Sequence, residues 1–479
     1  MISLVAAAGF VVGAAYVKRR KQNSKHKGVW PLIFHGSFVL APSFGEVIIK
    51  KDQLIILDEL TGDISEIAEG GKLSEVLKQR GWKRSCVLHL KEGQLLVPGL
   101  IDTHCHAPQY QFTGTGTHII ELMQWLQHYT FPAERRLKDI EVARKVYTAL
   151  INRLLSNGTT TALYFATIHE ESCKLFADLA EDLGQRALIG KVAMDQHGGE
   201  DYEETTEVAL ASTESFVKYV LEKKCSRVLP VVTPRFIPTC SDACLKGLGV
   251  RFPLPEMAPN LTCSSPSVPQ SSGNSASSDL LRPAVPQGLR RFIPTCSDAC
   301  LKGLGEIAKK YDVHIQSHIS ESQDEMAFVD SLHPGKSDTE IYDKFGLLTA
   351  KTVMAHGCHL KRHERDVLRA RGAAVSHCPH SNLFFGDANL NAKQCVFEKL
   401  KLGLGTDVAG GYSYSMFHSI RSAVTTGRNV RIDFLRGVKD DPAACDVPVD
   451  TEPLDYKEAF WIATQGGAEA LDLQHRIGR

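Results

Sequence analysis

Apolar and polar residues change rhythm several times along this chain. Ile2 to Val17 is a nearly unbroken apolar run, followed at once by Lys18-Arg19-Arg20-Lys21. From Trp30 the runs become short and alternating: Leu32–Leu40, Glu46–Lys50, Leu54–Leu57 and Val87–Leu90, separated by Gly, Asp and Ser turns. Period-two alternation marks half-buried strands, so a small β module is predicted there. Beyond it, short Val/Ile/Leu/Thr runs alternate with longer amphipathic stretches. The strands predicted are Leu95–Thr103, Thr159–Thr167, Ala187–Asp195, Val228–Phe236, Val313–Ile319, Thr352–Gly357, Ala373–Cys378 and Leu402–Thr406. Helices predicted over Asp139–Asn157, Thr206–Lys223 and Glu364–Arg371 fall between them. Eight strands joined by crossovers predict an α/β fold, a (β/α)8 TIM barrel, in which chemistry gathers at the carboxyl ends of the strands. The boundaries expected are an extension over 1–29, a small β module over 30–96, and the barrel over 97–479.

One segment breaks the rhythm. Arg235–Gly249 and Arg291–Gly305 are the same fifteen residues, RFIPTCSDACLKGLG, offset by 56 positions. Between them Val250–Arg290 is rich in Ser and Pro and has no apolar period, which predicts disorder. Identity at every position points to a recent duplication or a mis-spliced gene model, not to a repeat architecture. The insertion is therefore placed at about 235–290, and Arg235-Phe236 is preferred over Arg291-Phe292 because the fourth barrel strand runs directly into it.

Composition narrows the class. Lys+Arg and Asp+Glu are equal at 55 each, so nothing is basic enough to seek nucleic acid. Thirteen cysteines, an odd number, are scattered singly apart from Cys240/Cys244 and Cys296/Cys300, which reads as free thiols in a cytoplasmic protein. Those C-x3-C pairs lack structural-zinc spacing. The run Ile2–Val17 is slightly short of a bilayer core, and its positive charge follows instead of preceding it; a marginal membrane anchor is the alternative to an incorrect start.

The candidate chemistry starts at Val97–His106, VPGLIDTHCH. Residues i and i+2 of a strand point the same way, so His104 and His106 can hold one metal while Cys105 points away. Zinc in a catalytic site needs further protein ligands. The later strands supply them where the barrel rule requires: His318 with Glu321 three residues beyond, His356, and Asp407. His380 and Cys378 are assigned to the turn after strand seven, while His169 and His197 match no ligand position.

Taken together, VPGLIDTHCHAPQYQF, YTFPAE, NGTTTALYFATIH, VVTPRF, HIQSHISE, VMAHGC, HCPHSNL and GLGTDVAGGYSYSM resemble the guanine deaminases, zinc enzymes of the amidohydrolase superfamily. The resemblance implies one zinc held by His104, His106, His318 and Asp407, and guanine contacted by His106, Gln109, Arg235, Phe236, His318, Glu321 and Asp407. It implies a homodimer, and further strands beyond Arg479 that complete a β-sandwich module partly truncated here. In the expected chemistry a water of pKa lowered to about 7 attacks C2 of guanine. Glu321 carries its proton to the ring and then to the departing amine, Asp407 shares the relay, and His356 orients the water or the tetrahedral oxygen. Arg235 and Gln109 read the six-oxo edge and Phe236 stacks on the ring. Xanthine and ammonia are the products. The alternatives are a related deaminase of another purine or triazine, or a variant impaired by the insertion and truncation. A binuclear hydrolase is disfavoured because VVTPRF has no bridging lysine. The paired H-x-E and P-C-x-x-C signature of cytidine-type deaminases does not occur.

Overall fold

Thirteen strands build two sheets in this computed structural model, which describes residues 32–59, 62–116, 122–196, 198, 201–235, 296–386, 388–436 and 452–478. The extension over 1–29, the insertion from Phe236 to Thr295, and His197 lie outside the described residues.

The smaller sheet contains β1 (Ile33–Leu40), β2 (Ile48–Leu57), β3 (Ile64–Glu69), β4 (Val87–His89) and β5 (Leu95–Leu96), in the order β3-β2-β1-β4 with β5 also on β1. Alternation along β1 and β2 serves two cores at once. Ile33, Leu54 and Ile56 pack against Leu73, Val76 and Leu77 of the helix Leu73–Arg80, while Phe34, Phe38, Ile55 and Leu57 face the other way with Leu96. Three expectations are corrected here. Glu46–Lys50 and Leu54–Leu57 are parts of one strand, β2, whose middle is polar because it is exposed. β3 carries no apolar face to signal it, since Ile64 and Ile67 stay exposed. Leu95 and Leu96 pair with Ser37 and Phe38 of the small sheet, not with the barrel; Pro98 and Gly99 separate them from the first barrel strand.

That barrel strand is β6 (Leu100–His106), so it starts later and ends later than predicted and carries both histidines within it. β7 (Thr159–Phe165), β8 (Arg186–Ala193), β9 (Val228–Pro234), β10 (His314–Ile319), β11 (Thr352–His356), β12 (Ala374–His377) and β13 (Lys401–Leu404) follow, each parallel to the last. The ring is closed beyond the strand ends. Asp407 N donates to His104 O at 2.8 Å, His106 N donates to Val408 O at 3.0 Å, and Thr406 donates from Oγ1 (2.6 Å) and N (3.0 Å) to the buried Asp102 carboxylate. Close approach explains the glycines of GLGTD: a Cβ on Gly403 would meet Thr103 Cγ2 at 2.4 Å, and one on Gly405 would meet His104 Cβ at 2.9 Å. The wall strands are buried on both faces, which is why they read as near-continuous apolar runs.

Helices cover the barrel. Ile140–Ser156 starts at Asp139, whose carboxylate accepts from Glu141 N and Val142 N; such a cap contributes about 1 kcal/mol. The helix before β10, Asp298–Tyr311, is capped by Ser297 and lies entirely in and after the second copy of the duplicated segment. The described structure thus takes Arg235 from the first copy and Cys296 onward from the second. No helix among the described residues is long and apolar enough to cross a membrane.

Candidate active site

Three strand ends bring four donor atoms together. His104 Nε2 lies 3.2 Å from Asp407 Oδ1, His106 Nε2 lies 3.4 Å from the same oxygen, and His106 Nε2 lies 3.1 Å from His318 Nε2. A tetrahedral zinc site with bonds of about 2.0–2.1 Å has edges of roughly 3.3 Å, which these three separations match, and His104, His106 and Asp407 lie close enough together to share one ion. His104 Nε2 is buried without a hydrogen-bond partner, a costly state that a bound cation relieves. Burial pushes all three imidazoles well below their ordinary pKa, keeping them neutral with a lone pair to give. His318 Nδ1 donates to the Arg235 carbonyl at 2.7 Å, which turns its Nε2 lone pair inward. Phe165, at the end of β7, forms the wall: its ring centroid is 5.1, 4.6 and 4.8 Å from those of His104, His106 and His318. Three imidazoles and a carboxylate fit zinc.

A second group shares Asp407. His356 Nε2 is 3.5 Å from Glu321 Oε2 and 3.9 Å from Asp407 Oδ2, while its Nδ1 is 3.0 Å from Asn382 Oδ1 on the short helix Pro379–Phe384. Burial, reinforced by the Asp407 charge, pushes the Glu321 carboxyl well above the usual range, as suits a group that must hold a proton. Burial lowers His356, and Asp407 opposes that shift. The turn after β10 is tied down by Asp338 Oδ2, which accepts from Ser320 N at 2.7 Å, and by Glu325 Oε2, which accepts from Glu321 N at 3.0 Å. Ser320, His356 and Asp407 all have positive φ, at 46°, 74° and 47°. Left-handed backbone at three non-glycine strand ends costs of order 1 kcal/mol each and gathers at functional sites.

Beside this cluster, and joined to it through the Arg235 carbonyl, lies a buried polar network. Arg235, at the end of β9, is 1% exposed, and both its terminal nitrogens donate to the Glu134 carboxylate, Nη2 at 2.9 Å. Burial works against its charge and Glu134 more than offsets it, holding the guanidinium pKa up. Gln109, in the 3-10 stretch Ala107–Phe112, donates from Nε2 to Glu134 Oε1 (3.1 Å) and accepts at Oε1 from Ala409 N (3.1 Å). Tyr202 Oη donates to Glu134 Oε2 at 2.7 Å. Of the residues singled out in sequence, His104, His106, His318, Asp407, Glu321 and His356 are thus brought together, with Gln109 and Arg235 adjoining. Phe236 lies outside the described residues. His169 stands apart, its ring 5.7 Å from that of Tyr202. Sequence reading missed Glu134, Tyr202, Asn382 and Asp102, the last with its carboxyl pushed up to about 7 by burial. Asp102 and Asn382 stand within DTHCH and HCPHSNL, so proximity to ligand-bearing strand ends was the available signal for those two.

A third grouping, Asp195 with Cys296 and Cys300, has the donor types of a metal site. Its members are already satisfied. Asp195 accepts from Ser297 N, Ser297 Oγ and Thr206 Oγ1, Cys296 Sγ donates to Ala193 O at 3.0 Å, and the contact with Cys296 together with burial pushes the Cys300 thiol up, against thiolate formation.

Comparison with known proteins identifies the family. The chain matches the amidohydrolase family over residues 95–250 and 282–479, leaving the middle of the insertion unmatched. It is 38% identical over 449 residues to guanine deaminase of Rattus norvegicus, covering 93% of this chain and 83% of that one, and 38% identical to the Homo sapiens enzyme with the same coverage. Among solved structures, guanine deaminase from C. acetobutylicum with bound guanine superposes with a TM-score of 0.72 at 27% identity, covering 93% of this chain and 87% of that one. The chain belongs to the amidohydrolase family, among its guanine deaminases.

Proposed function

We propose that this chain hydrolyses guanine to xanthine and ammonia, with His104, His106, His318 and Asp407 holding one zinc. The observation that carries the reading is the set of three separations of 3.1–3.4 Å that join His104, Asp407, His106 and His318, beside a buried carboxyl that is not one of them. When bound, zinc lowers the pKa of a coordinated water to about 7. Glu321 accepts the proton released as the water oxygen bonds to C2 of guanine, and passes it to the ring nitrogen. The proton of the hydroxyl now on C2, moved by Glu321 with Asp407, reaches the exocyclic nitrogen as the C2–N bond breaks, leaving a C2 carbonyl and ammonia. His356, held through Nδ1 by Asn382, keeps Nε2 on the reacting oxygen between the two carboxylates. Arg235 and Gln109 bind the six-oxo edge, and Phe236 stacks on the ring.

The domain boundaries we assign are 1–29, 30–96 and 97–479, with the barrel interrupted at about 235–290. A cytoplasmic homodimer completes the reading, with membrane attachment only if residues 2–17 act as an anchor.

The decisive experiment is metal analysis of the purified full chain together with an ammonia-release assay. The expected result is about one zinc per chain and turnover of guanine but not adenine, which has no amino group at C2 to release and sets a six-amino group against donors that suit a six-oxo one. Comparable turnover of both purines would favour a broader deaminase.

The insertion gives a second expectation. Deleting residues 235–290 leaves a single uninterrupted RFIPTCSDACLKGLG between β9 and its helix. Loop length is a weak objection to the insertion, since each doubling costs only about 0.6 kcal/mol. Its place in the sequence, directly after Arg235, is the stronger one. Guanine turnover and soluble yield should both rise in the deleted protein; a fall in both would make the insertion an integral part of the enzyme.

A further inference from the structure

The carboxylate of Glu134 is fully buried, belongs to neither the four clustered donors nor the Glu321–His356 group, and yet organises the polar network beside them. Two oxygens offer about four acceptor positions. Here all four are filled: Oε1 by Arg235 Nη2 and Gln109 Nε2, Oε2 by Arg235 Nη1 and Tyr202 Oη. Nothing on Glu134 remains for a ligand, so its influence passes through the groups that it holds.

Those groups are left with a defined set of bonds to offer. Gln109 has its amide nitrogen on a carboxylate and its amide oxygen on a backbone N–H. A flipped amide would set oxygen against carboxylate and N–H against N–H, so the orientation is locked. One N–H and one lone pair remain. The Arg235 guanidinium has five N–H bonds and no acceptor. Glu134 takes two, the Phe131 ring lies 5.0 Å from the guanidinium carbon, and the buried Nε has no partner. What Arg235 still offers is therefore donors alone, held in place by a bidentate clamp.

We propose that Glu134 is a positioning residue that sets purine specificity, by clamping Arg235 and locking the Gln109 amide so that the pocket presents a donor edge to the six-position. The proposal rests on the guanine reading above. Guanine shows acceptors at O6 and N7 along that edge, whereas a six-amino purine puts N–H donors where O6 would be. Releasing the clamp frees Gln109 to turn its oxygen outward and Arg235 to shift, and both changes admit the six-amino group.

The test compares guanine with 2,6-diaminopurine, which keeps the two-amino leaving group and puts a six-amino group and an unprotonated N1 where guanine has its six-oxo group and N1–H. Wild-type protein should favour guanine in kcat/KM by a factor on the order of 10⁴. In zinc-loaded Glu134→Gln the KM for guanine should rise roughly 10–100-fold with a smaller fall in kcat, and the preference should narrow to the order of 10² or less. Tyr202→Phe removes one donor from the carboxylate without disturbing charge, and should narrow the preference several-fold in a folded protein. A purely structural role would lower activity on both substrates in proportion. An unchanged preference and KM in Glu134→Gln, or in Tyr202→Phe if the first variant does not fold, overturns the proposal. Wild-type protein that turns over neither substrate while holding zinc would instead overturn the guanine reading.

Discussion

Glu321→Gln should keep its zinc and still bind guanine, yet turn over slower by a factor on the order of 10²–10⁴, the usual contribution of a positioned acid/base. The substitution changes almost nothing but the ability to take a proton. Glu321 is 3% exposed, and its backbone is held by Glu325 whatever the side chain carries. Burial and the neighbouring Asp407 raise its carboxyl, so it gives up a proton reluctantly and is a good temporary holder of one. A glutamine fills the same space beside His356 and Asp407 but has no basic oxygen of that kind. Single-turnover rates and equilibrium binding of guanine, measured on the same zinc-loaded preparation, separate the two effects. Near-normal rates would move the relay to Asp407, whose carboxyl burial also raises.

His318→Ala should lose metal and activity together. Its imidazole is one of three, and it is the one whose orientation depends on another element, through Nδ1 and the carbonyl of Arg235. Loss of an outer-shell partner costs about 10–100-fold in metal affinity, and loss of a ligand should cost more. The vacancy also leaves the Arg235 carbonyl without its imidazole donor, at the junction between the histidine cluster and the Glu134–Arg235 network. Metal content by emission spectroscopy after dialysis, read beside guanine turnover, is the measurement. Full zinc and full turnover in this variant would end the assignment of the cluster as a metal centre.

Much of this site was legible because strand geometry is rigid. His104 and His106 share a face through the period-two rule, and His318, His356 and Asp407 were found by asking what stands at the end of each later apolar run. The limits have physical causes. Glu134 sits in FPAERR, where an acid beside two arginines looks like a solvated helix face; only tertiary contact shows that it is buried under Arg235. β3 escaped because an exposed edge strand has no apolar face to advertise, and β2 was divided because its middle is solvated. The first barrel strand was started too early because Leu95 and Leu96 are as apolar as the strand proper, although they belong to another sheet. Apolar periodicity reports burial, and it does not say against what.

The changeover from the first copy of the duplicated segment to the second makes its positions unequal. Arg235 is joined to β9 through Pro234, and Gly305 continues through Glu306 to the end of its helix. Neither has a stand-in, because Arg291 follows Arg290 and Gly249 runs into Val250. Phe236 through Thr239 differ: Phe292 through Thr295 repeat them residue for residue, between the same two anchors. The chain carries a spare for that short stretch alone. A coding change at Phe236 leaves the same residue type unchanged at Phe292 of the same chain, whereas one at Arg235 leaves no arginine joined to β9. Repetition in the sequence therefore begins to matter at a single peptide bond, the one after Arg235.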